Sequence, residues 1–109
     1  MAYPTKIDLR HSAAAVWGAP CVLRCPSCGY DYLHQGKIEI FNRPHEDGPS
    51  VAVTVESCAI PRLGATGRNP SSRRQGMLIY FECEGCDGPF APLGIWQHKG
   101  QTFIEWISW

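Results

Sequence analysis

The chain has 109 residues, a size that fits one domain, and its 44% hydrophobic and 11% aromatic content can build a small core. Ten Lys or Arg balance ten Asp or Glu, so net charge argues for neither a nucleic-acid coat nor a membrane-surface protein. No apolar run approaches the roughly 18–20 residues of a bilayer-spanning helix, and eleven Gly with nine Pro favour turns and short strands over long helices.

Residues 1–20 read as an N-terminal arm with at most one short helix over 12–17, for which Ser12 would serve as N-cap. The apolar stretch 12–19 is short for a secretory leader, follows Asp8 and contains Trp17, so a cytoplasmic setting with no membrane partner is expected. Cys25-Pro-Ser-Cys28 comes next, a tight turn that presents two thiols on one side. Residues 37–41 alternate, with Ile38 and Ile40 on one face; Val51, Val53 and Val55 share a face in the same way. The intervening loop holds Asp47-Gly48-Pro49, so the two runs form a hairpin.

A long connection over 57–76 follows, carrying Arg62, Arg68, Arg73 and Arg74 and no acid. Its length calls for some structure of its own. Asn69 as cap, Pro70 at the first position and Gly76 as terminator predict one helical turn, from whose end Arg73 and Arg74 would project. These arginines either form a solvated face paired with Glu82, Glu84 and Asp87, or contact an anionic partner. Residues 78–83 are a third strand that runs directly into Cys83-Glu-Gly-Cys86. Two more strands, 94–97 and 102–109, meet at His98-Lys99-Gly100, where glycine supplies the positive φ of a tight turn. The expected fold is mainly β: one antiparallel sheet of about five strands with a cysteine knuckle pair and one or two short helical turns.

Two Cys-x-x-Cys pairs far apart in sequence are what a closed tetrahedral zinc site requires, so Cys25, Cys28, Cys83 and Cys86 are the expected ligands of one structural Zn²⁺. The ion would close the long loop between the pairs and so stabilise the fold. It would also add about two negative charges, from four thiolates less one Zn²⁺. Three disulfides are the competing use of six cysteines, but a bridge across two intervening residues is strained. A redox pair would want a strand-to-helix context, and strand patterns follow here instead. Cys21 and Cys58 are taken as small buried apolar residues, although Cys21 stands close enough to Cys25 to compete as a ligand, and His34 could in principle replace a thiolate.

Catalysis draws little support. His11, His34, His45 and His98 have no ligand spacing among themselves, and the zinc deaminase pattern lacks its His-x-Glu. No nucleophile elbow or phosphate-binding glycine loop is present, so no enzyme activity is expected. Most of Tyr30, Tyr32, Phe41, Tyr80, Phe81, Trp96, Phe103, Trp106 and Trp109 must be core. Strands with apolar residues on both sides imply a cover for the second face: the N-terminal segment, a second copy in a homodimer, or a partner protein.

Cys-Pro-Ser-Cys-Gly at 25–29, together with Phe81-Glu82-Cys83-Glu84-Gly85-Cys86, resembles the zinc-ribbon family. That resemblance implies two knuckles at hairpin ends holding one zinc, with Gly29 as the knuckle glycine that frees amides to bond sulfur. The order of knuckle, Asn-Pro-Ser-Ser-Arg-Arg, knuckle and Gln-His-Lys-Gly-Gln-Thr is similar to small zinc-ribbon proteins of bacteria, phages and mobile elements. The insert between the knuckles is longer than in a minimal ribbon, and Asp87 stands where glycine is usual. Two functions are then expected in competition. One is a non-enzymatic adaptor or regulator that binds a protein through its sheet face or arginine loop, including an anti-CRISPR-like phage inhibitor of a host nucleic-acid machine. The other is a nucleic-acid binder in which Arg68, Arg73, Arg74 and Lys99 contact phosphates while an aromatic stacks.

Overall fold

A computed structural model describes residues 22–56, 59–86 and 92–107. Six strands form one open antiparallel sheet: β1 Leu33–Asn42, β2 Val51–Val55, β3 Arg62–Leu63, β4 Gly76–Cys83, β5 Leu93–His98 and β6 Gln101–Trp106. Their order across the sheet is β3-β2-β1-β4-β5-β6. Two meanders are thus joined at the central β1·β4 pair, where Leu33 lies opposite Cys83 and Phe41 opposite Gly76. No helix occurs among the described residues, and the short helix expected over 12–17 lies outside them.

Both expected hairpins are present. Ile38 pairs with Val55 through to Asn42 with Val51, and Leu93 with Trp106 through to His98 with Gln101. The second closes on Lys99 at φ 50° and Gly100 at φ 79°. β1 starts four residues earlier than its alternation indicates, because a bulge between Gln35 and Ile38 carries it past the period-2 pattern and on to the cysteine end. A sixth strand, the two-residue β3, lies within the long connection and pairs Leu63 with Val53.

The helical turn expected at 69–76 is replaced by a non-helical loop. Its capping residues serve local bends instead: Asn69 Oδ1 accepts from Ser71 N at 3.0 Å and Asn69 Nδ2 donates to Arg74 O at 2.8 Å. Ser71 Oγ accepts from Arg74 N at 2.9 Å and donates to Gln97 O at 2.6 Å, fastening the loop to β5.

The better covered face of the sheet is the one that Ile38 and Ile40 do not share. Glu39 and Leu78, opposite one another, are both fully buried, and Phe41, Leu78 and Ile107 form the core cluster with Ala52, Ala65, Tyr80 and Trp96 against it. Residues 64–67 strap this face down. Glu39 accepts from Thr66 N at 2.6 Å, Thr66 Oγ1 at 3.2 Å, Gly67 N at 3.1 Å and Tyr80 OH at 2.7 Å. Thr54 Oγ1 donates to Gly64 O at 2.7 Å, and Lys37 Nζ reaches Thr66 Oγ1 at 2.9 Å. Burial alone would raise the Glu39 carboxyl, but the Tyr80 hydroxyl, the strap amides and the Lys37 charge outweigh it and hold it below the usual range. Burial and the adjacent carboxylate push Tyr80 up to about 12, so it keeps its proton and donates.

Candidate metal centre

The antiparallel β1·β4 pair decides where the cysteines meet. The first knuckle precedes β1 and the second follows β4, so both fall at one end of the sheet. Glu84 N donates to Tyr32 O at 3.2 Å, extending the ladder beyond Leu33 and Cys83 and setting the knuckles side by side. In the first knuckle Cys25 N donates to Tyr30 O and Gly29 N to Cys25 O, each at 2.9 Å, with Gly29 at φ 78°. A Cβ on Gly85 would come within 2.9 Å of the Tyr30 ring, so a residue without a side chain is what lets the two turns pack.

The four sulfurs of Cys25, Cys28, Cys83 and Cys86 lie within 4.8 Å of one another. Cys25 and Cys86 are 3.8 Å apart, and Cys28 and Cys83 are 3.5 Å apart. A zinc–sulfur bond of about 2.3 Å in tetrahedral geometry separates sulfurs by about 3.8 Å. The cluster could therefore bind a metal ion with little rearrangement, and a soft all-sulfur donor set suits zinc. Both knuckles also direct amides at sulfur: Ser27 N at 3.4 Å from Cys25 Sγ, and Gly85 N at 3.3 Å from Cys83 Sγ. Cys25 is fully buried, Cys83 and Cys86 half-buried and Cys28 exposed.

The thiols already differ in acidity. Burial raises Cys25, but the amides of Cys28 and Ser27 and hydrogen bonds from the Cys83 and Cys28 thiols bring it down to about 7. The Tyr30 amide favours the Cys28 thiolate, yet local loss of hydration beside the other sulfurs and its hydrogen bonds with the Cys83 and Cys25 thiols leave Cys28 raised.

His34 does not join the sulfurs; its Nε2 contacts the Glu84 carboxylate. Among the described residues no other group of His, Cys, Asp and Glu side chains is spaced for a metal. Cys21 and Cys58, the two cysteines expected to be buried, lie outside the described residues.

The basic residues singled out in the sequence do not form one site. Arg68 follows Gly67, which packs on Leu78, Tyr80 and Glu39 over the covered face. Arg73, Arg74 and Lys99 lie at the end of the sheet away from the cysteines, before β4 and at the β5–β6 turn. Arg73 and Arg74 face Glu46 at 3.7 and 3.9 Å rather than Glu82 or Glu84, two of the three acids offered for pairing, the third of which, Asp87, lies outside the described residues; Arg62 pairs with Glu56 at 3.2 Å. Glu46 sits in the β1–β2 loop and was not distinguishable from any solvated acid by spacing. Tyr30 and Tyr32, two of the nine aromatics of which most were expected in the core, are exposed.

No helix among the described residues is long and apolar enough to cross a membrane. Comparison with protein-family models, curated proteins and solved structures finds no match for this chain.

Proposed function

We propose that this chain is a non-enzymatic binding protein of zinc-ribbon type, stabilised by one zinc on Cys25, Cys28, Cys83 and Cys86, that acts as an adaptor or regulator by docking its apolar sheet face on a protein. Four thiolates fill a tetrahedral ion and leave no position for substrate, so zinc there would supply stability and not chemistry.

The observation that carries the reading is the second face. Alternation and register place Val53, Val55, Ile38, Ile40, Met77, Ile79, Ile95 and Ile104 on the side opposite Glu39 and Leu78, with neighbours matched from β2 to β6. Ile40 is 37%, Val51 47% and Leu63 82% exposed, an apolar border around a half-buried centre. An apolar side of a sheet calls for a cover, and a partner protein docked on it would supply one. One version of the reading is a phage or mobile-element protein that inhibits a host nucleic-acid machine, in the manner of anti-CRISPR proteins.

Affinity capture from the native host cell, with and without nuclease, tests it. A partner should be retained in moderate salt and after nuclease, and the double variant Ile40→Thr, Leu63→Thr should release it while keeping its metal. A partner lost to nuclease, or held equally by the variant, would contradict docking through this face.

A further inference from the structure

Two sulfur pairs meet across the knuckles: Cys25 with Cys86 at 3.8 Å, and Cys28 with Cys83 at 3.5 Å. Their partners stand 61 and 55 residues apart in the chain. Sulfurs in a disulfide are about 2.05 Å apart, so a contraction of roughly 1.5 Å would bond Cys28 to Cys83. A bridge within one knuckle would close a loop of two intervening residues. The crossed bridges instead close the same long loops that an ion would close, and so restrict the unfolded chain in the same way.

The frame that gathers these sulfurs does not depend on the sulfurs alone. Glu84 N donates to Tyr32 O at 3.2 Å, and the Tyr30 ring packs where a Cβ on Gly85 would stand. Within the first turn, Cys25 N donates to Tyr30 O and Gly29 N to Cys25 O. Backbone and ring contacts thus keep the two turns side by side while the staple between them changes.

Exposure sets the order of reaction. In a zinc-filled centre all four sulfurs are thiolates, so access from solvent decides which one meets an oxidant first. Cys28 is exposed, Cys83 and Cys86 are half-buried, and Cys25 is fully buried. The exposed sulfur therefore has a resolving sulfur beside it, the arrangement that oxidation-sensing cysteines use.

We propose that Cys28 is an oxidation site for peroxides, that its capture by Cys83 ejects the zinc, and that the crossed disulfides Cys28–Cys83 and Cys25–Cys86 then hold the sheet in the metal's place. The inference rests on the four-cysteine zinc centre. The Cys28 thiolate attacks one peroxide oxygen; an S–O bond forms, the O–O bond breaks and hydroxide leaves. The Cys83 thiolate then attacks the Cys28 sulfur and displaces the second hydroxide, giving the disulfide. Two sulfurs lose the two electrons that the peroxide gains, and two protons from solvent complete two waters. With two of its four ligands gone the ion dissociates, and a second peroxide joins Cys25 to Cys86 by the same steps.

Hydrogen peroxide added to the full, reduced, zinc-loaded chain tests this, with a chromogenic chelator reading released zinc and mass spectrometry of the unreduced digest locating bridges. Zinc should be released in full, with Cys28–Cys83 the first bridge found and Cys25–Cys86 the second. A brief pulse in the presence of dimedone should trap sulfenic acid at Cys28 before any other cysteine. The oxidised, metal-free chain should keep its strand signal in circular dichroism and lose it when a reductant is added with chelator present. The double variant Cys21→Ser, Cys58→Ser should release zinc at an unchanged rate and form the same bridges. Zinc that stays bound, bridges within a knuckle or between chains, first labelling at another cysteine, loss of the strand signal on oxidation, or slower release from the double variant would each overturn the proposal. A chain that holds no zinc before peroxide is added would sink the zinc centre as well, so the two failures are told apart.

Discussion

Glu39 shows how a single side chain can decide which face of a strand is covered. Ile38 and Ile40 mark one face of β1 as apolar, which ordinarily makes it the core side. The strap at 64–67 instead covers the face of Glu39, because two backbone amides and the Thr66 and Tyr80 hydroxyls meet its carboxylate there. A buried carboxylate with several donors is stable where a lone one is not. Glu39→Gln replaces one acceptor oxygen by a donor, and the strap groups left facing it should cost about 2–3 kcal/mol. The pH dependence has a definite sign. The carboxyl lies lower folded than unfolded, so its contribution is full above the ordinary Glu value of about 4.3 and is lost as pH falls through the folded value. Urea unfolding of both proteins between pH 3 and pH 7 should show their stability difference shrinking toward the acid end. A difference that holds constant with pH would contradict the assigned role.

At the scale of elements, local signals are read correctly wherever pairing is local. The β1–β2 and β5–β6 hairpins follow from alternation flanking Asp47-Gly48-Pro49 and Lys99-Gly100. The connection 57–76 is less legible for two physical reasons. A two-residue strand such as Arg62–Leu63 has no period to detect, and Asn-Pro-Ser-Ser offers the same capping groups to a bend as to a helix. The charge pairing fails for a third reason: β4 carries the chain from one end of the sheet to the other, so Arg73 and Glu82 are close in sequence and far apart in the fold. Gly67 is where this connection meets the sheet. A Cβ there would lie 2.8 Å from both Leu78 Cδ1 and Tyr80 OH and 2.9 Å from Glu39 Oε1. Gly67→Ala should therefore lift the strap and cost about 1–3 kcal/mol. Amide hydrogen exchange should report faster exchange at Thr66 and residue 67; unchanged protection there would show that the strap is not held through this contact.

For the whole molecule, the four cysteines were the most legible feature, because Cys-x-x-Cys spacing fixes each pair and only the topology has to bring the pairs together. The central antiparallel β1·β4 ladder does so, and its register sets Cys83 against the residue that opens β1. A metal there would tie the two meanders at one end of an open sheet with a small core, so its removal should act on the fold as a whole. Chelator titration followed by circular dichroism should show cooperative loss of strand signal, and re-addition of zinc should restore it. Retention of the full sheet after complete metal removal would mean that the core alone suffices.

The most direct test is X-ray absorption at the zinc edge on the purified, reduced chain. One zinc per chain with four sulfur neighbours at about 2.3 Å is the expected result. A protein that takes up no zinc, or a coordination shell containing nitrogen or oxygen, would contradict a closed four-thiolate centre.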